Sequence, residues 1–414
     1  MRSRGITVFQ AENNINVKIN KIKITPLTLD TPKLLLFGAI YLLQTLFLPV
    51  SMFMNMNDIV AQFISLIAFM AAYFVYSKFV NSSPSSISLI LAVVICLLLG
   101  SGVILLAMSV SLIFSVCTLS YILGTKNKTA HKIIFSTIPV ISWLIAALLL
   151  RSFLLSALTF FHIPAALLLA YAIAKKRPRV SSICHVSAGF IISVFAIAAI
   201  FFFLRHGTNI RILPELIANA KETLTNLYYN FLSSEYFAPL AEQSLQMSAT
   251  DMMTIASSTT ELLFIFLPAI LVTATNILAF FVHSITLKIL LRTQKDTERV
   301  MTMFSFDMTI LAAIVFLVSF MVSALMSESE LSVLSVGMSN IAIIFMPGLI
   351  YTAIMTANTF LAMKPSCLGT LLYLALIFAT INFAPIMFPL VSVAGAVIIV
   401  VANIAKYRLL KKNK

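Results

Sequence analysis

Residues 133–174 read IIFSTIPVISWLIAALLLRSFLLSALTFFHIPAALLLAYAIA, an apolar run with a single charge, Arg151, near its centre. The hydrocarbon core of a bilayer is about 30 Å thick, and a helix crosses it in about 20 residues. The run is twice that length. It therefore reads as two membrane-crossing helices joined by a hairpin at Arg151. The next residues, Lys175-Lys176-Arg177-Pro178-Arg179, form a strong polar stop.

The same measure applied outward divides the whole chain. Residues 87–124 form a second overlong apolar run, and Gly100-Ser101-Gly102 near its middle marks a second split. Single runs lie at about 34–54, 59–77, 183–204, 262–282, 301–326, 333–357, 368–384 and 390–405. The expectation is an all-α polytopic bundle of about twelve spans. If the splits at Gly100–Gly102 and Arg151 were both dropped, ten spans would fit nearly as well. The predicted organisation is a polar basic tail (1–33), a bundle of about seven spans (34–204), a polar loop (205–261), a bundle of about five spans (262–405) and a basic tail (406–414). In the loop, Pro214 suits a first helical turn. Leu216, Ile217, Ala220, Leu224, Leu227, Tyr228 and Phe231 then recur at helical spacing, which predicts an amphipathic helix. A weaker helical segment is expected near 239–256.

Composition agrees. The chain is 60% hydrophobic and 10% charged, whereas soluble domains are roughly 45–50% apolar and about 25% charged. A soluble protein of this composition would lack the polar surface to cover itself. The formal charge of +14 is read as flanking charge on spans and not as a nucleic-acid surface, since no basic face interleaved with aromatics is present. Cys96, Cys117, Cys184 and Cys367 show no CxxC pair and no metal-ligand spacing, and read as packing residues. No cleavable signal segment is expected at the start, because the first thirty-odd residues are polar.

Charge also tests the span count. With the N-terminus inside and twelve alternating spans, only Arg151, Arg205, Arg211 and Lys221 of the 28 Lys and Arg residues fall outside. Of the fourteen acids, Asp58, Glu328, Glu330 and the six of 205–261 fall outside. This is the separation expected when basic residues stay on the cytoplasmic side. The expected setting is the cell membrane, with both termini cytoplasmic and 205–261 extracytoplasmic.

Ionisable residues inside spans point to transport or catalysis when they occur. Asp307, near the inner start of its span, offers a proton or cation site, or simply a residue at the inner interface. Arg151 would bind an anionic group at the outer face, or snorkel there as a hairpin residue. His162, before Ile163-Pro164, lies beside an expected kink that would line a site or merely pack. Amides are more numerous. Gln44, Gln62, Asn276, Asn340, Asn358, Asn382 and Asn403 fall in or near spans, as elements of a neutral substrate site or as interhelical glue. Most lie in the last five spans, so the cavity is expected there. Ala166, Ala170 and Ala174 form a small-residue stripe for close helix packing. No Walker A loop, HExxH, GxSxG or zinc-ligand cluster is present, so no catalytic residue, cofactor or metal is assigned.

Three groups of residues in the C-terminal part carry a resemblance. They are Phe266-Leu267-Pro268-Ala269, then Ser339-Asn340-Ile341 with Pro347-Gly348-Leu349-Ile350-Tyr351, and Val393-Ala394-Gly395-Ala396 before Lys406-Tyr407-Arg408. Residues 262–408 resemble the YybS-like family of bacterial polytopic membrane proteins. That resemblance implies a distant similarity to the substrate-binding subunits of energy-coupling-factor vitamin transporters. It carries no binding residue across, because Ala396 and Val397 follow Gly395 where the family commonly has an Asp in this helix.

Three functions follow as expectations. The first is transport-related: a bundle that binds a small molecule, dependent on a partner ATPase or an ion gradient. The second is an envelope scaffold that docks partners through 205–261. The third is a membrane transferase acting on a lipid-linked substrate, with Arg151, Arg205 or Arg211 in its groove.

Overall fold

The computed structural model describes residues 31–53, 67, 102–125, 127–177, 179–234, 248–293, 308–326, 333–363, 367–382 and 384–412. The spans expected at 59–77 and near 87–100, the tail before residue 31, Asp307 and the acids at 328 and 330 lie outside the described residues. Among the described residues every regular element is a helix. In chain order these are α1 (Thr31–Phe53), α2 (Gly102–Gly124), α3 (Thr129–Leu150), α4 (Phe153–Ser156), α5 (Ile163–Ala174), α6 (Arg179–His206), α7 (Leu213–Leu232), α8 (Ala249–Thr293), α9 (Ile310–Met326), α10 (Val333–Met363), α11 (Cys367–Asn382) and α12 (Ala384–Lys412). Short 3₁₀ turns at Ala157–Phe160 and Ile210–Ile212 join α4 to α5 and α6 to α7.

Seven segments are long and apolar enough to cross a membrane: Ala107–Gly124, Thr129–Leu150, Phe153–Ala174, Val180–His206, Ala249–Leu287, Val333–Asn358 and Ile386–Ile404. Three shorter apolar helices, Phe37–Val50, Ile310–Met326 and Gly369–Thr380, fall where further spans were expected. The fold is thus a multi-pass helical membrane protein with seven established candidate spans among the described residues.

The hairpin that divides residues 133–174 is built by Arg151. It follows the last residue of α3 with φ 50, in the left-handed region. Ser152 then turns extended, and its Oγ accepts from the Leu155 N–H to cap α4. Pro164 sits in the first turn of α5, where its missing N–H costs nothing.

The chain divides into two compact units, residues 1–201 with 275–304 and residues 202–274 with 305–414. In the first, α1 packs on α2 and α3, and α2 packs on α5. Small residues set these approaches. A Cβ on Gly124 would stand 2.9 Å from the Ala170 carbonyl oxygen and 2.9 Å from the Ile173 Cβ. One on Gly189 of α6 would stand 2.4 Å from the Ala165 Cα. Of the alanine stripe, Ala166 and Ala170 are buried and Ala174 is exposed, while Ala165 makes the tightest approach.

In the second unit the core is Ala313 and Phe316 of α9, Ala342 and Leu349 of α10, and Ala396 and Ile399 of α12. A Cβ on Gly395 would lie 2.2 Å from the Leu349 carbonyl oxygen, so α10 and α12 cross with their backbones almost touching. The helix α8 runs unbroken past Glu261 and Leu262, where sequence placed the edge of a loop. Residues 205–261 therefore belong to the same compact unit as residues 305–414. Within them α7 buries none of its residues. It rests on α8 by Lys221, whose ammonium lies 5.5 Å from the centre of the Phe264 ring.

Candidate functional site

The first unit holds a polar cluster inside an otherwise apolar packing. On α1, Tyr41, Gln44 and Thr45 are spaced by three and four residues, so they share one face. All three are buried. Tyr41 reaches His162, which sits at the N-terminal cap of α5, with 2.5 Å between the hydroxyl oxygen and Nε2. The imidazole tautomer sets which of the two donates. The Tyr41 ring also stacks on Phe135 of α3, with centroids 6.0 Å apart, and meets the His162 ring edge-on. One turn along α1, Thr45 Oγ1 lies 2.5 Å from Ser142 Oγ of α3. Thr45 also donates to carbonyls of its own helix.

Gln44 lies between these two pairs along α1. Its Nε2 is fully buried and has no hydrogen-bond partner among the described residues. The hydroxyls of Ser111 and Ser115, one turn apart on the adjoining α2, are buried in the same condition. Native structures pair the great majority of buried polar side-chain atoms, because each one left unpaired keeps its full desolvation cost. Any guest that reached one of these three atoms would be stabilised by the hydrogen bond it supplied. The cluster offers amide and hydroxyl donors and acceptors and no formal charge, so its chemistry suits a neutral hydrogen-bonding group.

The other sequence candidates are scattered. Arg151 is exposed at the end of α3. Asn276 is half-buried on α8, within the first unit. Asn358 is exposed, Asn382 ends α11 with its side chain outside the described residues, and Asn403 donates to the Ile399 carbonyl of its own helix. Asp307 lies outside the described residues. The structure therefore brings His162 and Gln44 into one cluster, with Tyr41, Thr45 and Ser142, which sequence reasoning did not single out. Their signal was present as a Tyr-x-x-Gln-Thr face in an apolar span.

Asn340 has a different use. Pro268 interrupts α8, and next to it the Ala269 N–H and the Ile265 carbonyl, natural partners in an unbroken helix, are both taken by the Asn340 amide. Oδ1 accepts from Ala269 N–H at 3.2 Å, and Nδ2 donates to the Ile265 carbonyl at 3.1 Å. Nδ2 also donates to the Val336 carbonyl at 3.0 Å. The side chain is inserted into the hydrogen-bond ladder of a neighbouring helix at its proline. The residues quoted for the family resemblance thus meet as packing pairs, Ala269 with Asn340 and Leu349 with Gly395.

Among the described residues no group of three or more His, Cys, Asp or Glu side chains is placed to hold a metal ion. The chain matches no family model, no curated protein and no solved structure.

Proposed function

We propose that this multi-pass membrane protein binds a small, neutral, hydrogen-bonding molecule in its first unit, at the cluster of Tyr41, Gln44, Thr45, Ser142 and His162, as a transporter or the substrate-binding subunit of one. The observation that carries the reading is the buried, unpartnered Gln44 amide between two hydrogen-bonded side-chain pairs. Ligand sites are mostly apolar, with a few placed polar groups that fix orientation, and this cluster has that character. The resemblance of residues 262–408 to the YybS-like family, and through it to vitamin-transporter subunits, supports the same class. A twelve-span arrangement with cytoplasmic termini, in the cell membrane, goes with it, and a partner ATPase or an ion gradient would supply the energy.

The test uses purified protein in mild detergent. Small molecules extracted from the wild type and from Gln44→Leu are compared by mass spectrometry. In parallel, Gln44→Cys is exposed to a small, water-soluble thiol reagent. A neutral metabolite present in the wild type and lost from Gln44→Leu, together with labelling of Cys at position 44, is the expected result. Extracts free of any specific metabolite and a cysteine sealed from the reagent would make the cluster a packing feature only.

A second reading, an envelope scaffold docking through 205–261, has one observation in its favour. The helix α7 buries nothing, and Leu213, Ile217, Leu227 and Phe231 lie exposed on it. Leu227→Glu with Phe231→Glu would then abolish co-purification of envelope partners while the protein still inserts. Unchanged partners would refute the scaffold.

A further inference from the structure

We infer that one end of the first unit is a binding face for the phosphate of anionic phospholipids, formed by Lys128 before α3 and by Lys175, Lys176 and Arg177 after α5. This is independent of the proposed small-molecule site.

The two basic loops are brought together by the fold. Gly124, at the end of α2, lies against Ala170 and Ile173, near the end of α5. Lys128 is four residues beyond Gly124, and Lys175 two beyond Ile173, so both loops leave the unit at the same end. Lys128, Lys175, Lys176 and Arg177 are all exposed. No Asp or Glu occurs among the described residues of this unit. Nothing among the described residues of the unit neutralises the four cations, which leaves them free to attract an anion.

Local structure fixes where these charges stand. The chain leaves α5 through a tight cap in which the Arg177 N–H donates to the Ala172 carbonyl at 2.9 Å and the Lys176 N–H to the Ile173 carbonyl at 3.0 Å. Lys176 occupies the left-handed position of that cap, φ 53, where glycine is usual because it has no Cβ. The positive charge of Arg177 lies close to the Tyr171 hydroxyl, and the Tyr171 ring stacks on His185 of α6 with centroids 5.9 Å apart. Arg177 thus stands beside an exposed aromatic ring at the end of a membrane-crossing segment, the depth at which Tyr meets headgroups. A guanidinium offers a planar pair of donors to two phosphate oxygens, and the lysines add point charges around it. A membrane lipid fits better than a soluble phosphate because its headgroup already lies at this level, where basic pockets between spans bind anionic headgroups.

The test compares the full-length protein in nanodiscs of phosphatidylcholine alone and of equal parts phosphatidylcholine and phosphatidylglycerol. Native mass spectrometry counts the phosphatidylglycerol that stays bound on release. The variants are Lys128→Gln/Lys175→Gln/Lys176→Gln/Arg177→Gln and, at the other end of α3, Arg151→Gln. Wild type and Arg151→Gln should retain phosphatidylglycerol. The fourfold variant should lose affinity, by about fivefold for each cation removed. Added salt should weaken retention by the wild type. If the fourfold variant does not fold, Arg177→Gln alone, with Tyr171 left to fill the site, is read in the same assay. Retention by the variants equal to wild type overturns the inference. So does complete displacement of phosphatidylglycerol by inorganic phosphate, which would make this a site for a free anion.

Discussion

Both units turn buried hydroxyls back onto their own helices, and they differ in how many side-chain pairs bridge one helix to another. In the first, polar side chains on different helices pair with each other: Tyr41 with His162, Thr45 with Ser142, and Ser187 with Thr275 at 2.9 Å. In the second, Ser323 and Ser339 make one such pair, and several others satisfy backbone carbonyls. Thr352, Thr356, Thr380 and Ser392 each donate to a carbonyl one turn back, and Asn340 is held by three backbone groups. A hydroxyl that donates to its own helix has spent its one hydrogen and can only accept from a guest. Side chains that bridge helices, with an unpaired amide between them, can exchange partners. The cross-helix pairs flanking a buried amide nitrogen without a partner among the described residues are in the first unit, although the second carries most of the amides.

The sharpest test of rigidity in the second unit is Gly395→Ala. The added methyl would meet a backbone oxygen that cannot rotate away, and the expected loss is about 3 kcal/mol or more. Thermal unfolding in detergent should show it, while Gly337→Ala, whose added Cβ meets no atom within 4 Å, should be neutral or slightly stabilising. Equal behaviour of the two variants would mean that the α10–α12 crossing is not close.

Next in size is Asn340→Ala. It strands the Ala269 N–H and the Ile265 carbonyl, at a cost of about 2–3 kcal/mol. Pro268→Ala lets the α8 ladder close on itself, so in the double variant much of that loss should return. A double-mutant cycle measures the coupling, and strict additivity would remove Asn340 from the kink.

In the first unit, Tyr41→Phe and His162→Leu should each cost about 1–2 kcal/mol by leaving the other group unpaired. Together they should cost clearly less than the sum. Gln44→Leu is the informative opposite. It removes a buried amide whose nitrogen has no partner among the described residues, so stability should hold or rise by about 1 kcal/mol, while any bound molecule is lost. Lower stability without loss of ligand would make Gln44 a packing residue.

The smallest effects concern the two left-handed caps. Arg151→Gly and Lys176→Gly relieve a conformation that disfavours any Cβ, and each should raise stability by about 0.5–1 kcal/mol in neutral lipid. A fall in the unfolding temperature of Lys176→Gly there would show that its side chain holds the fold and not only an anion.

Several of these features were legible before any coordinates. Apolar runs near the length of a bilayer crossing are a one-dimensional property, set by hydrocarbon thickness and helical rise. That is why the break at Arg151 and the helices around it read directly from residues 133–174. The helix in the polar stretch was legible as well, because Leu216, Leu224 and Phe231 fall on one side of a 3.6-residue period. The site was not. Asn340 and His162 look alike in a sequence, each a lone polar residue in an apolar helix. One proves to be inserted at a proline of a helix distant in sequence, and the other closes on Tyr41, 121 residues earlier.

Composition and local spacing alone, then, make this a chain of helices apolar enough to cross a membrane, and place several of them roughly along it. Those properties depend on composition and local spacing, which bilayer thickness and backbone hydrogen bonding turn into structure. Only the tertiary structure decided which polar groups meet, because hydropathy is blind to the rotation of one helix against another. That rotation is fixed by close approaches such as Gly189 on Ala165 and Gly124 on Ala170. They bring α2, α5 and α6 together within the unit where Tyr41, Gln44 and His162 form one cluster.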